Sequence, residues 1–410
     1  MKSSSTLKCQ VIVQERKEAG LPVYNFGLGG NPVPICETYS NQLARFAKEK
    51  DYTSAKGVPK LQQAIKEYMS TDLYKVEHTL FGNGLKELLF LVQMAHQGLI
   101  YHVTPAWVSY KSQVEMMGKG DKLRFYNTTI EEGFKINPKK IDKLFSHEYE
   151  NGLKKLFVFN NPCNPTGVVY TKSELKDIAM ILRKHDCLVI ADEIYLNLCY
   201  TEDTCTIANF IPERTICGSS VSKDLGCGGY RLGWLTFPKE LTDFFNRCSG
   251  MASTLYSCPC TPIQHATAYM LSDKMLVEQI CLLTKTFFRI VLEKVCKVME
   301  KTKLRYIVPN AAWYLLIDFS EYSDFLNKNG VYDSDQLSDF LIQQKGIVTV
   351  SGKSFGIDGL YCRFSLVDMK FEKNGSVFDP SVYSNTIKGF EELVNIFDHS
   401  EDSSLVSSSL

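Results

Sequence analysis

Three short apolar runs constrain this chain more than any other feature: Leu156-Phe157-Val158-Phe159, Leu188-Val189-Ile190-Ala191 and Thr215-Ile216-Cys217-Gly218. Each has the length of a strand, carries no charge and breaks off into polar residues. Between the first two, Thr171-Lys172-Ser173-Glu174 has the form of a capping box, and apolar spacing through Leu182 predicts a helix. Strand, helix, strand in this order predicts a mostly parallel α/β sheet, whose strands are apolar throughout because both faces are covered. In such sheets ligands bind beyond the carboxyl ends of the strands. Asn164, Asp192, Tyr195, Ser220 and Lys223 all fall just after strands.

Composition narrows the class. At 410 residues the chain exceeds what one hydrophobic core usually serves, so two domains are expected. With 44% hydrophobic and 22% charged residues and a net charge of zero, nothing calls for nucleic acid or a membrane surface. No run approaches the ~18 apolar residues of a membrane span. The start, Met1 to Thr6, is polar and serine-rich rather than an apolar leader, so a cytoplasmic protein is expected, with its 14 cysteines reduced. Cys258-Pro259-Cys260 has no second Cys/His pair at ligand spacing, and no metal site is expected. The serine-rich ends, Ser3 to Thr6 and Glu401 to Leu410, are expected to be disordered. From 275 to 300 the pattern is helical, with Leu276, Ile280, Leu283, Phe287 and Val291 on one face. The remainder to about Phe397 reads as a smaller α/β unit, with strand candidates at 313–319 and 347–350.

The chemistry-bearing residues have ordinary explanations one at a time. Lys223 closes Gly218-Ser219-Ser220-Val221-Ser222-Lys223, and Arg231 stands eight residues later. Alone the lysine reads as a surface-loop charge. Among small hydroxyl residues after a buried strand, it is placed to form a Schiff base with an aldehyde cofactor, and Ser220, Ser222 and Arg231 to hold that cofactor's phosphate. Asp192 can cap the next helix, or hold a pyridinium nitrogen protonated so that the ring becomes an electron sink. Tyr195 can be half-buried packing, or a donor to a ring phenolate. Asn164 sits in Asn160-Asn161-Pro162-Cys163-Asn164-Pro165-Thr166-Gly167, a proline-fixed turn that can present its amide to the same oxygen or to a carboxylate. Gly84 and Leu85 open a helix whose first amides suit a phosphate. Trp107 can fill a core or stack on a flat ring. Arg363, inside Tyr361-Cys362-Arg363-Phe364-Ser365, needs an anion: a structural partner or a substrate carboxylate.

Taken together and in order, these motifs resemble the class I/II aminotransferases of the aspartate aminotransferase fold, from about Tyr24 to Ser365. The resemblance rests on Tyr52, Gly57 and Leu61, Gly84-Leu85-Lys86-Glu87, Asn161-Pro162 with Asn164-Pro165-Thr166-Gly167, Asp192-Glu193-Ile194-Tyr195, Ser220-Val221-Ser222-Lys223, Arg231 and Arg363. It implies pyridoxal 5'-phosphate as cofactor. It also implies the transferase fold type I, in which a large domain with a mostly parallel seven-stranded sheet between helices is joined to a smaller α/β domain. The expected boundaries are 1–44 for an N-terminal segment partly in the small domain, 45–285, 286–398, and a tail from 399 to 410.

By this resemblance Lys223 binds the cofactor aldehyde and moves the proton. Asp192 meets the ring nitrogen, Asn164 and Tyr195 meet the ring oxygen, and Trp107 stacks on the ring. Ser220, Ser222, Arg231, Gly84 and Leu85 hold the phosphate, with Tyr52 reaching it across a homodimer. Arg363 takes the substrate α-carboxylate near Gly29. The string from Gly84 to Phe90 is similar to that of a bacterial-type subgroup of aspartate aminotransferases, in which the lysine at the Lys86 position binds a side-chain carboxylate. That favours aspartate or glutamate as donor, with ping-pong exchange against a 2-oxo acid.

Departures from the family pattern are Leu85, bulkier than the usual Ala or Gly and so expected to crowd the phosphate side, Gly29-Gly30-Asn31-Pro32, and the loop from Asp224 to Gly228. Rival readings on the same scaffold are an aminotransferase for aromatic or neutral amino acids, a carbon–sulfur lyase and a cyclopropane-forming synthase. A DNA-binding regulator would need a domain before the fold, where only about 25 residues stand.

Overall fold

The computed structural model describes residues 5–147, 153–372 and 376–398. Its larger sheet has seven strands: β2 (His78–Gly82), β3 (Leu99–Thr104), β4 (Leu123–Asn127), β5 (Lys155–Asn160), β6 (Cys187–Asp192), β7 (Thr215–Ser220) and β8 (Gly233–Phe237), preceded in the chain by the short β1 (Tyr24–Asn25). The spatial order is β2-β8-β7-β6-β5-β3-β4. Only β8 runs against its neighbours; the other pairs are parallel.

The all-apolar strands are explained by a core on each face. Along β5 and β6, Phe157, Phe159, Val189 and Ala191 point into one core, and Leu156, Val158 and Ile190 into the other. This is the period-two alternation of a sheet covered on both sides. The first core is closed by the helix Lys172–Lys184, which buries Leu175, Ile178, Ala179 and Leu182. Its predicted capping box forms: the Thr171 hydroxyl accepts from the Glu174 amide, and the Thr171 amide donates to the Glu174 carboxylate. Such a cap contributes about 1 kcal/mol. The second core is closed by the helices Leu85–Ala95 and Thr242–Leu255.

A four-stranded sheet forms the smaller unit from β9 (Arg305–Tyr306), β10 (Tyr314–Asp318), β12 (Val350–Ser351) and β13 (Tyr361–Ser365), in the order β12-β13-β10-β9 and antiparallel throughout. Between β10 and β12 in sequence, β11 (Ile347–Val348) pairs in parallel with β1, so residues near the start of the chain are stitched to this unit. The expected single strand 347–350 is thus two short ones serving different partners.

The helix Lys274–Met299 joins the two units, with Val277 and Cys281 in a core of the larger and Phe287 through Met299 in that of the smaller. Its buried face follows the expected one except at Leu283: Phe287 and Val291 are fully buried, and Leu276 and Ile280 pack against a core. Val277, Cys281, Thr284, Phe288, Val291 and Val295 are buried, whereas Leu283 is 37% exposed. At the centre of the helix Thr284 rather than Leu283 faces inward, a shift of one residue within a broad apolar stripe.

The first helix begins at Ser5, so the expected disordered run does not include Ser5 and Thr6; Met1 to Ser4 and 399–410 lie outside the described residues. Among the described residues, no helix is long and apolar enough to cross a membrane, and no group of three His, Cys, Asp or Glu could hold a metal.

Candidate active site

The parallel arrangement brings the ends of β5, β6 and β7 to one edge of the sheet: Asn160, Asp192 and Ser220. β2 is antiparallel to β8, so its end at Gly82 lies on this edge, and β8 starts there at Gly233. Over that edge lies a cavity of about 680 Å³. Asn164, Asp192, Tyr195, Ser220, Ser222, Lys223 and Arg231 line its floor. Gly29, Leu85, Lys86, Trp107 and Arg363 line its walls. Of the residues to which the resemblance gives a cofactor or substrate role, only Gly84 and Tyr52 are not in the lining. Gly84 lies beneath Arg231. Tyr52 is 90% exposed, away from the cavity of its own chain.

Lys223 directs its amine onto the Gly29 carbonyl, with Nζ 5.6 Å from the Tyr195 ring and 5.7 Å from that of Trp313. Asp192 is buried at the end of β6. Burial pushes its carboxyl up to about 6, against hydrogen bonds from the Tyr110 hydroxyl and the Ile194 amide that favour the charged form. The Tyr195 hydroxyl pairs with that of Tyr314 at 2.7 Å, and burial raises its pKa well above the usual range.

The opposite end of the floor is cationic. Arg231 takes a left-handed backbone conformation (φ 56°), a strained state for an arginine. Its guanidinium donates to the Asn83 and Gly228 carbonyls and lies across Gly84, where any Cβ would collide with Nη2. Gly84 also has a φ of 90°, so glycine is required there twice over. The helix Leu85–Ala95 starts at this point without a side-chain cap. The expected crowding by Leu85 is not seen as a plug in the cavity: its side chain is 3% exposed and packs over Gly218 in the core of the large sheet.

On the walls, Arg363 is 4% exposed and sandwiched between Tyr314 and Phe355, 4.8 and 5.1 Å from their ring centroids. Its Nη1 donates to Asn164 Oδ1 at 3.1 Å and its Nη2 to the Gly27 carbonyl at 2.9 Å. Lys86 sets Nζ 5.0 Å from the centroid of Trp107. Desolvation, then the charges of Arg231 and Lys223, lower its pKa.

Reading along the chain missed four contributors. Tyr110 donates to Asp192, Tyr314 holds Tyr195, Asn31 donates from Nδ2 to the Lys223 carbonyl at 2.9 Å, and Asn160 ties the Asp192 carbonyl to the Asn164 turn. Tyr110 and Tyr314 sit inside regular elements and look like core aromatics. Asn160 was the readable one, because it ends an apolar strand.

Comparison with known proteins decides what this arrangement is. A family model described as aminotransferase class I and II matches residues 22–375. The chain belongs to that family. It is a pyridoxal-phosphate-dependent aminotransferase. Similar relatives include an aspartate aminotransferase of Bacillus sp. strain YM-2, 28% identical over 86% of this chain and 89% of its own. An asparagine–oxo-acid transaminase of Streptococcus mutans is 27% identical over 87% and 90%. Among solved structures, an aspartate aminotransferase of Thermus thermophilus with maleate has a TM-score of 0.83 at 23% identity, covering 97% of both chains. An aromatic aminotransferase of Pyrococcus horikoshii has a TM-score of 0.77 at 23% identity, covering 95% of this chain and 99% of its own. This likeness shows the shared fold, which the aminotransferase fills with a mostly parallel seven-stranded sheet.

The donor set of the cavity fits the cofactor. A buried carboxylate whose pKa is raised by burial calls for a cationic partner such as a protonated ring nitrogen. The arginine at the uncapped helix start, pressed against a glycine, suits a phosphate.

Proposed function

We propose that this aminotransferase moves an amino group between aspartate or glutamate and a 2-oxo acid in ping-pong fashion, as a homodimer. One observation carries the substrate reading: the cavity holds two cationic side chains, Arg363 and Lys86, beyond the pair assigned to the cofactor, Lys223 and Arg231. A donor with two carboxylates satisfies both. Relatives named aspartate aminotransferase support the same reading.

In this reading the unit 45–285 holds the cofactor, and the unit 286–398 supplies Arg363. Asp192 pairs with the ring nitrogen and keeps it protonated, while Tyr110 orients the carboxylate. Asn164 and Tyr195 face the ring oxygen, and Trp107 covers the ring. Ser220, Ser222, Arg231 and the amides at Gly84 and Leu85 hold the phosphate, and Tyr52 of a second copy completes that site. The bound cofactor supplies an electron sink for the pair left on the substrate α-carbon. Arg363 grips the α-carboxylate, held in plane by Asn164 and the Gly27 carbonyl, and thereby fixes which α-bond faces Lys223. Lys223 Nζ would bind the cofactor aldehyde and, as the base nearest the substrate α-carbon, would carry the α-proton. Lys86 holds the side-chain carboxylate.

A panel of amino donors with 2-oxoglutarate tests the reading. Aspartate is expected to lead; if it is no better than alanine or phenylalanine, the role of Lys86 is wrong.

A further inference from the structure

The loop after Lys223 departs from the family pattern, and its first residue is Asp224. This side chain is 3% exposed, directly beside the lysine assigned to the cofactor. Its Oδ2 accepts from Asn197 Nδ2 at 2.7 Å, and the Tyr68 hydroxyl hydrogen-bonds the same carboxyl. Asn197 Nδ2 also lies 2.6 Å from the Tyr68 oxygen. Oδ1 is buried and has no hydrogen-bond partner among the described residues.

The three partners belong to three different segments. Asn197 sits in the single helical turn Leu196–Leu198 that directly follows Tyr195. Tyr68 is near the end of the helix Pro59–Met69, its ring edge-on to Trp234 of β8. Asp224 thus connects the turn that carries Lys223 to the turn that carries Tyr195, and both to the outer helix. From the opposite side Asn31 holds the Lys223 carbonyl. The turn that carries the lysine is thus held from two segments, by Asn31 and by the Asp224 contacts.

We propose that Asp224 is a positioning residue for Lys223, acting as the centre of an Asp224–Asn197–Tyr68 clamp that fixes the lysine turn against the Tyr195 turn. The proposal rests on the reading of Lys223 as the cofactor-bound lysine. The clamp needs only that Oδ2 accept a hydrogen bond, which the carboxyl does in either protonation state. Burial pushes the Asp224 carboxyl up to about 7. Around it stand Tyr68, Cys199 and Cys281, whose own ionisation its charge disfavours, with Lys285 beyond the two thiols. An amide has the shape of that acid and still accepts from Asn197, so asparagine preserves the clamp and alanine removes it.

The test uses the holoenzyme and four variants. Asp224→Ala is expected to lower kcat roughly ten- to hundredfold while KM moves by less than about threefold, because the error is in the reach of Nζ rather than in substrate binding. Asp224→Asn is expected to recover most of that loss. Asn197→Ala, at an exposed position that leaves the fold intact, should show the same split on a smaller scale. A double-mutant cycle of Asp224→Ala with Asn197→Ala, read as the kcat of the holoenzymes, should be non-additive. Unchanged kcat in both alanine variants, additive effects on kcat, or an asparagine variant as impaired as the alanine one would overturn the clamp. Lys223→Ala is the separate control: if it keeps the visible absorbance of bound cofactor, the underlying reading of Lys223 fails, whatever Asp224 does.

Discussion

The floor and the walls of the cavity are built in opposite ways. Asp192, Ser220 and Lys223 stand at or just beyond the carboxyl ends of adjacent parallel strands, so the register of one sheet sets their spacing. The walls come from segments far apart in sequence. Gly29 precedes the large sheet, Lys86 and Trp107 follow β2 and β3, and Arg363 lies in the other sheet. In the proposed reading, cofactor chemistry rests on the register of one sheet, and substrate choice on parts that can change one at a time. The two neighbours with aspartate and aromatic aminotransferase activity on one fold illustrate that division.

If the division holds, damage to the floor abolishes the reaction, and damage to the walls weakens or redirects substrate binding. The largest effect is expected from Lys223→Ala, which should cut turnover by roughly 10⁴-fold or more for every donor alike, measured in steady-state assays across the panel.

Asp192→Asn comes next and should weaken cofactor binding for all donors, read by titrating the cofactor-free protein. Its pH dependence gives a sharper check. Only the ionised carboxylate attracts a cationic ring, so in the unchanged protein affinity should rise as pH increases through about 6, and the asparagine variant should lack that rise. The stability of the cofactor-free fold should move the other way. The folded carboxyl titrates above its ordinary value of 3.8, so its stabilising protonated state is complete below that value and is lost as pH rises towards 6.

Arg363→Lys strikes the wall and should lower kcat/KM about hundredfold for all amino acids, since a lysine cannot replace the planar fork between Tyr314 and Phe355. Lys86→Ala should have the smallest and most selective effect: about a tenfold loss in the preference for aspartate over alanine, with alanine itself little changed. A general loss across donors would instead contradict the side-chain role given to Lys86.

The same contrast governs what the sequence reveals. The floor was legible because apolar strands announce their own ends, and polar residues after them stand out; β5, β6 and β7 lie where the pattern puts them. Arg363 was legible as a charge inside an apolar strand. Tyr110 and Tyr314 were not, because an aromatic in a helix or strand looks like core until its hydroxyl is seen to meet Asp192 or Tyr195. On the helix Lys274–Met299 only Leu283 departs from the expected face, because the apolar stripe is broad and packing decides which residues at its margin are covered. Gly29 was marked for its place near the substrate, but a Cβ there would come within 2.5 Å of the Tyr314 hydroxyl oxygen, a constraint set by a residue far along the chain.

The central claim is that Lys223, and not the other cavity lysine, holds the cofactor. Lys86 is a fair competitor, since its pKa is lowered and it faces the same space. Borohydride reduction of the holoenzyme, followed by trypsin and mass spectrometry, fixes the cofactor to whichever lysine bears it. The modification is expected on Lys223, in the stretch that follows Arg214. Its recovery on Lys86, or on no lysine of the cavity, would contradict the account.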